Sequence, residues 1–511
     1  MTEPLRITLG NLLHDCARRY GDRPFLTIAE TGATLSYAEF DALTNRIAHG
    51  LRQHYPDKLG YVALLLENSA EYLATTYALK KLAAIEVSIN PAMRGESLQR
   101  MIDQTHAAVL FTSEQHLDAL GQISDRLPHI DTLVMLDATA SARARFPQWT
   151  VRHFDELLSD CADHVDSGAP DTDIATILFT SGTTGVSKGC MLSHRYAVRT
   201  AENMIAPFRI TSDDCSYTPY PLCHIGPAYY DILPTLMTGG RVVMRQRFSL
   251  SNFWPEVKRY GVTWFMMLGS IQQLLWSHAP CAEEREHKVT RCWSTPAPVP
   301  KEDFDRRFGV HLIPGGGYGS TDAGWVVVPQ WDHPGGLVLP HFEVEIHDDK
   351  GDPVPAGQPG ELVVRPREPG VMSDGYFGMP DRTLESRRNL WFHTGDIARK
   401  DEQGRVYFMY RISERIRVKG EMVSAYEVEE GALSHPAVQD CAATGVPSAL
   451  GEEQIKLFVI AKPGHALDTD TLRAHCAERM ARFMVPEQIT FLDEFPRTVT
   501  GKPEKGKLAS L

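Results

Sequence analysis

At 511 residues, with 43% hydrophobic and 23% charged side chains, the chain is too long for a single hydrophobic core. Its composition is that of a globular protein, which sets aside disordered, collagen-like and membrane-spanning classes, and no apolar run approaches the roughly 18 residues a membrane helix needs. A net charge of −13 argues against a nucleic-acid partner, because such an interface leans on clustered Lys and Arg. The nine cysteines contain no C-x-x-C pair and read as reduced thiols, and the opening stretch lacks a signal-peptide pattern, so a cytoplasmic protein is expected.

Short apolar runs at 61–66, 84–89 and 108–112 alternate with helical patterns at 71–82 and 96–106. That β-α-β-α-β alternation predicts parallel strands, since parallel neighbours need a crossover long enough to be a helix. Further buried strands are read at 132–136 and 173–179, and the turn-rich 351–360 (GDPVPAGQPG) predicts an antiparallel pair from the strands on either side. A strand at 404–411 ends at a charged junction. The fold class is α/β: a large N-terminal domain, 1–410, of several mostly parallel, doubly wound sheets, and a small α+β domain, 411–511, with the boundary near Arg411 to Ser413.

Directly after the apolar run IATILF stands Thr180-Ser181-Gly182-Thr183-Thr184-Gly185-Val186-Ser187-Lys188-Gly189. Glycines let backbone N–H groups approach an anion, hydroxyls add donors and Lys188 adds charge, which is what a polyphosphate requires. The Walker pattern fails, because Ser187 stands where it needs glycine. The string resembles, nearly position for position, the signature loop of the adenylate-forming superfamily of acyl-CoA synthetases, peptide-synthetase adenylation domains and beetle luciferases. Further elements follow in the order that superfamily has them. Pro221-Leu222-Cys223-His224 resembles the segment whose histidine lies by the acyl pocket, and Thr295-Pro296-Ala297-Pro298 the adenine-side turn. Gly317-Tyr318-Gly319-Ser320-Thr321-Asp322 resembles the motif that stacks an aromatic ring on adenine and sets a hydroxyl, here that of Thr321, at the α-phosphate. Gly375-Tyr376 and Trp391-Phe392-His393-Thr394-Gly395-Asp396 come next, Asp396 matching the aspartate that takes the ribose hydroxyls. Arg411 matches a ribose- or phosphate-binding arginine, Ser413 the interdomain hinge, and Lys502, in Pro496-Arg497-Thr498-Val499-Thr500-Gly501-Lys502, the lysine that adenylation requires. The resemblance covers about residue 10 to about residue 505.

The resemblance implies an ATP-dependent acid:thiol ligase working through an acyl-adenylate, with ATP, Mg2+ and coenzyme A as its cofactors and co-substrates and a small-molecule carboxylic acid as partner. Asp322 stands where relatives usually carry glutamate, one methylene longer, and would meet the metal directly or through a water. The C-terminal domain is implied to be mobile, swinging so that Lys502 leaves and another face forms the thiol channel. Lys419 and Gly420 are the candidates for that face, or else belong to a charged strand edge. The acyl pocket is expected around 224–226, 266–269 and 315–317, where Gly315, Gly316 and Gly317 are read either as clearing a wall for a bulky, rigid acid or, since many relatives carry Asn near adenine at the place of Gly316, as relaxed nucleotide contacts. In general tone the sequence resembles the bacterial carnitine and medium-chain acyl-CoA ligase branch. Loading of a carrier protein in place of free CoA, and a non-catalytic nucleotide-binding homologue, are the alternatives; the sequence carries no signal of oligomeric state.

Overall fold

The computed structural model describes residues 7–511 apart from 57–58, 181–186, 296, 298, 314, 412–414, 419–420, 448–452, 481, 498–502 and 510. The alternation at 61–112 folds as read. Tyr61–Leu64, Ile85–Ser88 and Val109–Thr112 are parallel strands joined by the helices Ala70–Lys81 and Gly95–Asp103. Ser69 starts the first of these helices, its hydroxyl accepting from the Tyr72 N–H at 3.1 Å, one of the donors a helix start leaves unpaired. Thr132–Met135 and Thr150–His153 extend the sheet on one side and Ile174–Thr180 on the other, all parallel, and Lys188–Ser193 closes the edge antiparallel.

A second seven-stranded sheet repeats this plan. His311–Ile313, Arg291–Thr295, Trp264–Leu268, Cys215–Thr218, Arg241–Met244 and Pro24–Ile28 run parallel, with Thr34–Ser36 antiparallel at the edge. Side chains of both sheets, such as Leu64, Leu178, Val242 and Trp264, share one core with the helices Leu9–Tyr20, Tyr37–His54, Ala70–Lys81 and His194–Phe208. Two lysines are wholly inside that region. Lys80 meets Glu86 at 2.9 Å and Lys81 meets Asp41 at 2.5 Å, since a buried ammonium survives only beside a counter-charge.

The third sheet is antiparallel throughout, which the expectation of mostly parallel sheets covered only at one hairpin. Phe342–His347 pairs with Pro359–Pro366 across the turn-rich segment, and Phe392–Lys400, Val406–Arg411, His333–Val338, Gly324–Gln330 and Tyr318–Ser320 follow outward. Beyond residue 414 a hairpin, a three-stranded sheet and the helices Ala425–Leu433, Thr469–Ala477 and Lys505–Ala509 surround a separate core that includes Val428, Ala443, Leu457 and Leu472.

The long helix Tyr37–His54 approaches the short helix Phe154–Leu157 so closely at Gly50 that a Cβ there would overlap the Leu157 carbonyl. Gly50→Ala should therefore destabilise the protein by about 1–3 kcal/mol, despite the higher helix propensity of alanine, as read by urea or thermal unfolding.

Candidate functional site

The strand Ile174–Thr180 pairs antiparallel with Lys188–Ser193, Thr180 opposite Lys188, so the residues on either side of the glycine- and threonine-rich segment are held together at the end of a buried strand. Ser181, Gly182, Thr183, Thr184 and Gly185 lie outside the described residues, and the residues that flank them are in view. The Thr180 hydroxyl donates to the Lys188 carbonyl at 3.4 Å, and the Lys188 ammonium stands 4.7 Å from the centre of the Tyr376 ring, a cation–π contact. The far edge of the same strand binds residues 374–377: Met191 N–H donates to Gly375, Asp374 N–H to Met191, and Phe377 N–H to Gly189.

Those bonds bring a third element in. Asp322, on the turn between Tyr318–Ser320 and Gly324–Gln330, accepts from the Cys190 thiol at 3.6 Å, and its main-chain carbonyl accepts from the Ser373 N–H at 2.9 Å. Burial, with Asp322 beside both groups, pushes the Cys190 thiol and the Tyr376 phenol well up, so both stay protonated. The preceding Thr321 is fixed through its carbonyl, which accepts from the buried Tyr196 hydroxyl at 2.9 Å. Asp322 is the hard-oxygen donor that could hold Mg2+. No group of three or more His, Cys, Asp or Glu able to hold an ion occurs among the described residues.

Tyr318 donates from its hydroxyl to Asp396 at 2.6 Å, and Asp396 is only 2% exposed. The residue read as adenine-facing and the residue read as ribose-facing are thus bonded to each other. Arg411 lies opposite Asp396 on the neighbouring strand, with its side chain outside the described residues. Phe408, which sequence reasoning missed, is a half-exposed aromatic on that strand whose ring lies 6.3 Å from Tyr318 at 25°. An aromatic at an outward-facing strand position was the available signal.

His224 lies within reach of Asn90 at 3.4 Å, and burial holds its imidazole below the ordinary histidine range, so the ring is neutral near pH 7. It precedes a π-helical turn, Gly226–Ile232, a geometry common at functional sites. Ala297 is half-buried against the second sheet's outer core; Pro298, Ser413, Lys419, Gly420 and Lys502 lie outside the described residues.

The volume argument from the glycines is corrected by their surroundings. Gly316 has φ of +93°, and a Cβ on it would run into the Pro334 carbonyl, so backbone packing demands glycine there. A Cβ at Gly317 would lie 2.9 Å from Trp325 and 3.2 Å from Trp293, so the space this residue frees is filled by indoles. Only Gly315 faces open space. Enlarging Gly316 would strain the fold and report nothing about the acid.

Two mostly parallel sheets, an antiparallel third and a smaller α+β unit make the frame of an adenylate-forming enzyme. Comparison of the sequence with known families places it more closely. Residues 13–377 match the AMP-binding enzyme family and residues 427–502 the AMP-binding enzyme C-terminal domain, and the chain belongs to that family, in its CoA ligase branch. It is 29% identical over 519 aligned residues, with 98% of each chain covered, to a crotonobetaine/carnitine–CoA ligase of Salmonella agona (strain SL483). In fold it matches ATP-bound MatB from Rhodopseudomonas palustris, with a TM-score of 0.84, 23% identity and 99% of each chain covered. It also matches the anthranilate CoA ligase AuaEII in complex with anthranoyl-AMP, with a TM-score of 0.87, 23% identity, and 99% and 97% covered.

The π-helical turn also buries Asp231, whose carboxyl is pushed up to about 7 by burial, against the opposing pull of the Ser216 and Thr218 hydroxyls. A carboxyl raised in the folded state stabilises nothing at high pH: the folded chain keeps a proton the unfolded one releases, so stability falls as pH rises from about 4 to about 7. Asp231→Asn should remove that loss. The variant should gain stability relative to the parent at pH 8 over pH 4, by an amount on the order of 2–4 kcal/mol, read by thermal unfolding at both pH values.

Proposed function

We propose that this protein is an ATP-dependent carboxylic acid:CoA ligase. The acid's carboxylate oxygen attacks the α-phosphorus of ATP, the bond to pyrophosphate breaks, and the acyl-adenylate forms. The CoA thiolate then attacks the acyl carbon and AMP leaves. The observation that carries this reading is the convergence at one edge strand of Lys188, at the base of the phosphate-type loop, with Thr321 and Asp322, held by Cys190, Ser373 and Tyr196.

Two anions must meet in the first step, so oriented donors and cations do most of the work. The 180–189 segment, with Thr180, Lys188 and the N–H groups of its glycines, takes the β- and γ-phosphates, and the Thr321 hydroxyl faces the α-phosphate. Lys502 bridges the acid's carboxylate and an α-phosphate oxygen. Bound Mg2+ would supply positive charge against the departing pyrophosphate, with Asp322 as its protein ligand. The ribose hydroxyls bond Asp396, with Arg411 beside it, and adenine lies against Tyr318, near Gly319, Ala297 and Pro298. His224 adds no net charge as a neutral imidazole and lines the acid's side together with the open face of Gly315. For the second step a hinge at Ser413, at the boundary between 1–410 and 411–511, turns the small domain so that Lys502 departs and Lys419 and Gly420 line the thiol's approach.

The named relatives act on crotonobetaine or carnitine and on anthranilate, acids unlike one another, so the reaction carries over to this chain and the acid does not. Free CoA, not a carrier protein, is the acceptor favoured by those relatives. We place the enzyme in the cytoplasm, where ATP and CoA are at hand and its nine free cysteines stay reduced; among the described residues no helix is long and apolar enough to cross a membrane.

Lys502→Ala should lower pyrophosphate release, assayed with ATP, Mg2+ and a panel of acids, by about 100-fold or more, the usual loss when one electrostatic stabiliser of a transition state is removed. The same variant should keep most of its rate for thioester formation from a pre-formed acyl-adenylate and CoA. Equal loss in both half-reactions would count against the domain swing, and acyl transfer to a carrier protein alone would replace CoA as acceptor.

A further inference from the structure

Two asparagines at the carboxyl ends of neighbouring parallel strands of the first sheet converge on His224. Asn68 follows Tyr61–Leu64 and Asn90 follows Ile85–Ser88. Asn68, 4% exposed, bonds main chain on both sides of its amide: Nδ2 donates to the Tyr220 carbonyl at 2.7 Å and the Arg245 carbonyl at 3.0 Å, and Oδ1 accepts from the Leu222 N–H at 2.8 Å. The His224 N–H donates to the Pro221 carbonyl at 3.1 Å and closes the turn. The backbone that carries the imidazole is therefore fixed from the first sheet, although the strand it follows, Cys215–Thr218, belongs to the second.

Asn90 meets the ring itself. Its Oδ1 accepts from the Ala92 N–H at 3.0 Å, and its Nδ2 lies 3.4 Å from His224 Nε2. The first bond decides the second. Turned over, the amide would set its NH2 against the Ala92 N–H, donor against donor, so the oxygen faces Ala92 and the NH2 faces the imidazole. A ring nitrogen that faces an NH2 has only its lone pair to offer, so Nε2 accepts and the proton of the neutral ring sits on Nδ1. Which nitrogen carries the proton is set by the bond that the other makes, and here Asn90 makes that bond. An imidazolium would bring an N–H against the same NH2, and burial already holds the ring neutral near pH 7.

Nδ1–H is thus the polar atom that the ring has left to give. His224 and Asn90 are both only partly buried, and a Cβ at Gly226, two residues beyond the histidine, would meet nothing within 4 Å, so open space adjoins this turn. We propose, resting on the acid:CoA ligase reading of this site, that Asn90 is a positioning residue: it fixes the Nδ1–H tautomer of His224, so that the acid's carboxylate meets a neutral donor and not a lone pair.

The test reads the tautomer directly, by two-dimensional 1H–15N NMR of the full-length enzyme with 15N-labelled histidine, the His224 signals being assigned by their loss in His224→Gln. The parent should show Nδ1 protonated and Nε2 unprotonated. Asn90→Ser, whose hydroxyl can still accept from the Ala92 N–H but has no NH2 for the ring, should give a mixture that includes Nε2–H. Asn90→Asp should move the proton to Nε2 and raise the pH at which His224 titrates by about 1 or more, since a carboxylate favours the imidazolium. In pyrophosphate release with butyrate, hexanoate and benzoate, Asn90→Ser should raise the acid's KM by about two- to fivefold, in proportion to the competent tautomer lost, and leave the KM for ATP unchanged. Nε2 protonated in the parent, or Nδ1 alone protonated in both variants, would overturn the inference. Equal rises in the KM for acid and for ATP would overturn it too, as the mark of a merely structural change. Release with none of the acids, in a parent whose tautomer is the inferred one and is lost in both variants, would uphold the Asn90–His224 pairing and count against the ligase reading.

Discussion

The strand Lys188–Ser193 is hydrogen-bonded on both edges, to Ile174–Thr180 on one side and to residues 374–377 on the other. An edge strand left open would invite another chain, and here the open edge is used to draw in a distant segment of the same one. Because Cys190 also reaches Asp322, one strand fixes where the glycine-rich segment ends, where the carboxylate sits and where the Tyr376 ring covers Lys188. A site for joining two anions needs its cation and its metal-binding oxygen held before the reactants arrive, since reorganisation during reaction would cost the stabilisation. Backbone hydrogen bonds to a buried sheet give that rigidity.

The same economy governs Asp396. Asp396, almost wholly buried, has the Tyr318 hydroxyl to hold its oxygen, which offsets the cost of burying it.

Much of this was legible in the sequence, and the reason differs by element. Parallel strands at 61–112 announce themselves because buried strands and amphipathic helices have different periods, and the Tyr318–Asp322 and Asp396 strings, weak when read alone, gain meaning from following the 180–189 string in the superfamily's order. The side-chain bond between Tyr318 and Asp396, 78 residues apart, has no local signal. Nor does the contact of Cys190 with Asp322, since Cys190 reads alone as an ordinary core residue. The glycines at 316 and 317 misled for a physical reason. Absence of a side chain looks the same in sequence whether it makes room for a ligand, a backbone turn with positive φ or a neighbouring indole, and here it serves the last two.

Isotope transfer tests the acyl-adenylate route most directly. An acid labelled with 18O in both carboxyl oxygens is turned over with ATP and CoA, and the products are analysed by mass spectrometry. If the carboxylate attacks the α-phosphorus and the thiol later displaces AMP, each AMP carries one 18O and pyrophosphate carries none. Label in inorganic phosphate with ADP as the product would show attack at the γ-phosphorus instead, and unlabelled AMP alongside acyl-CoA would show that no acyl-adenylate forms; either result would contradict the account.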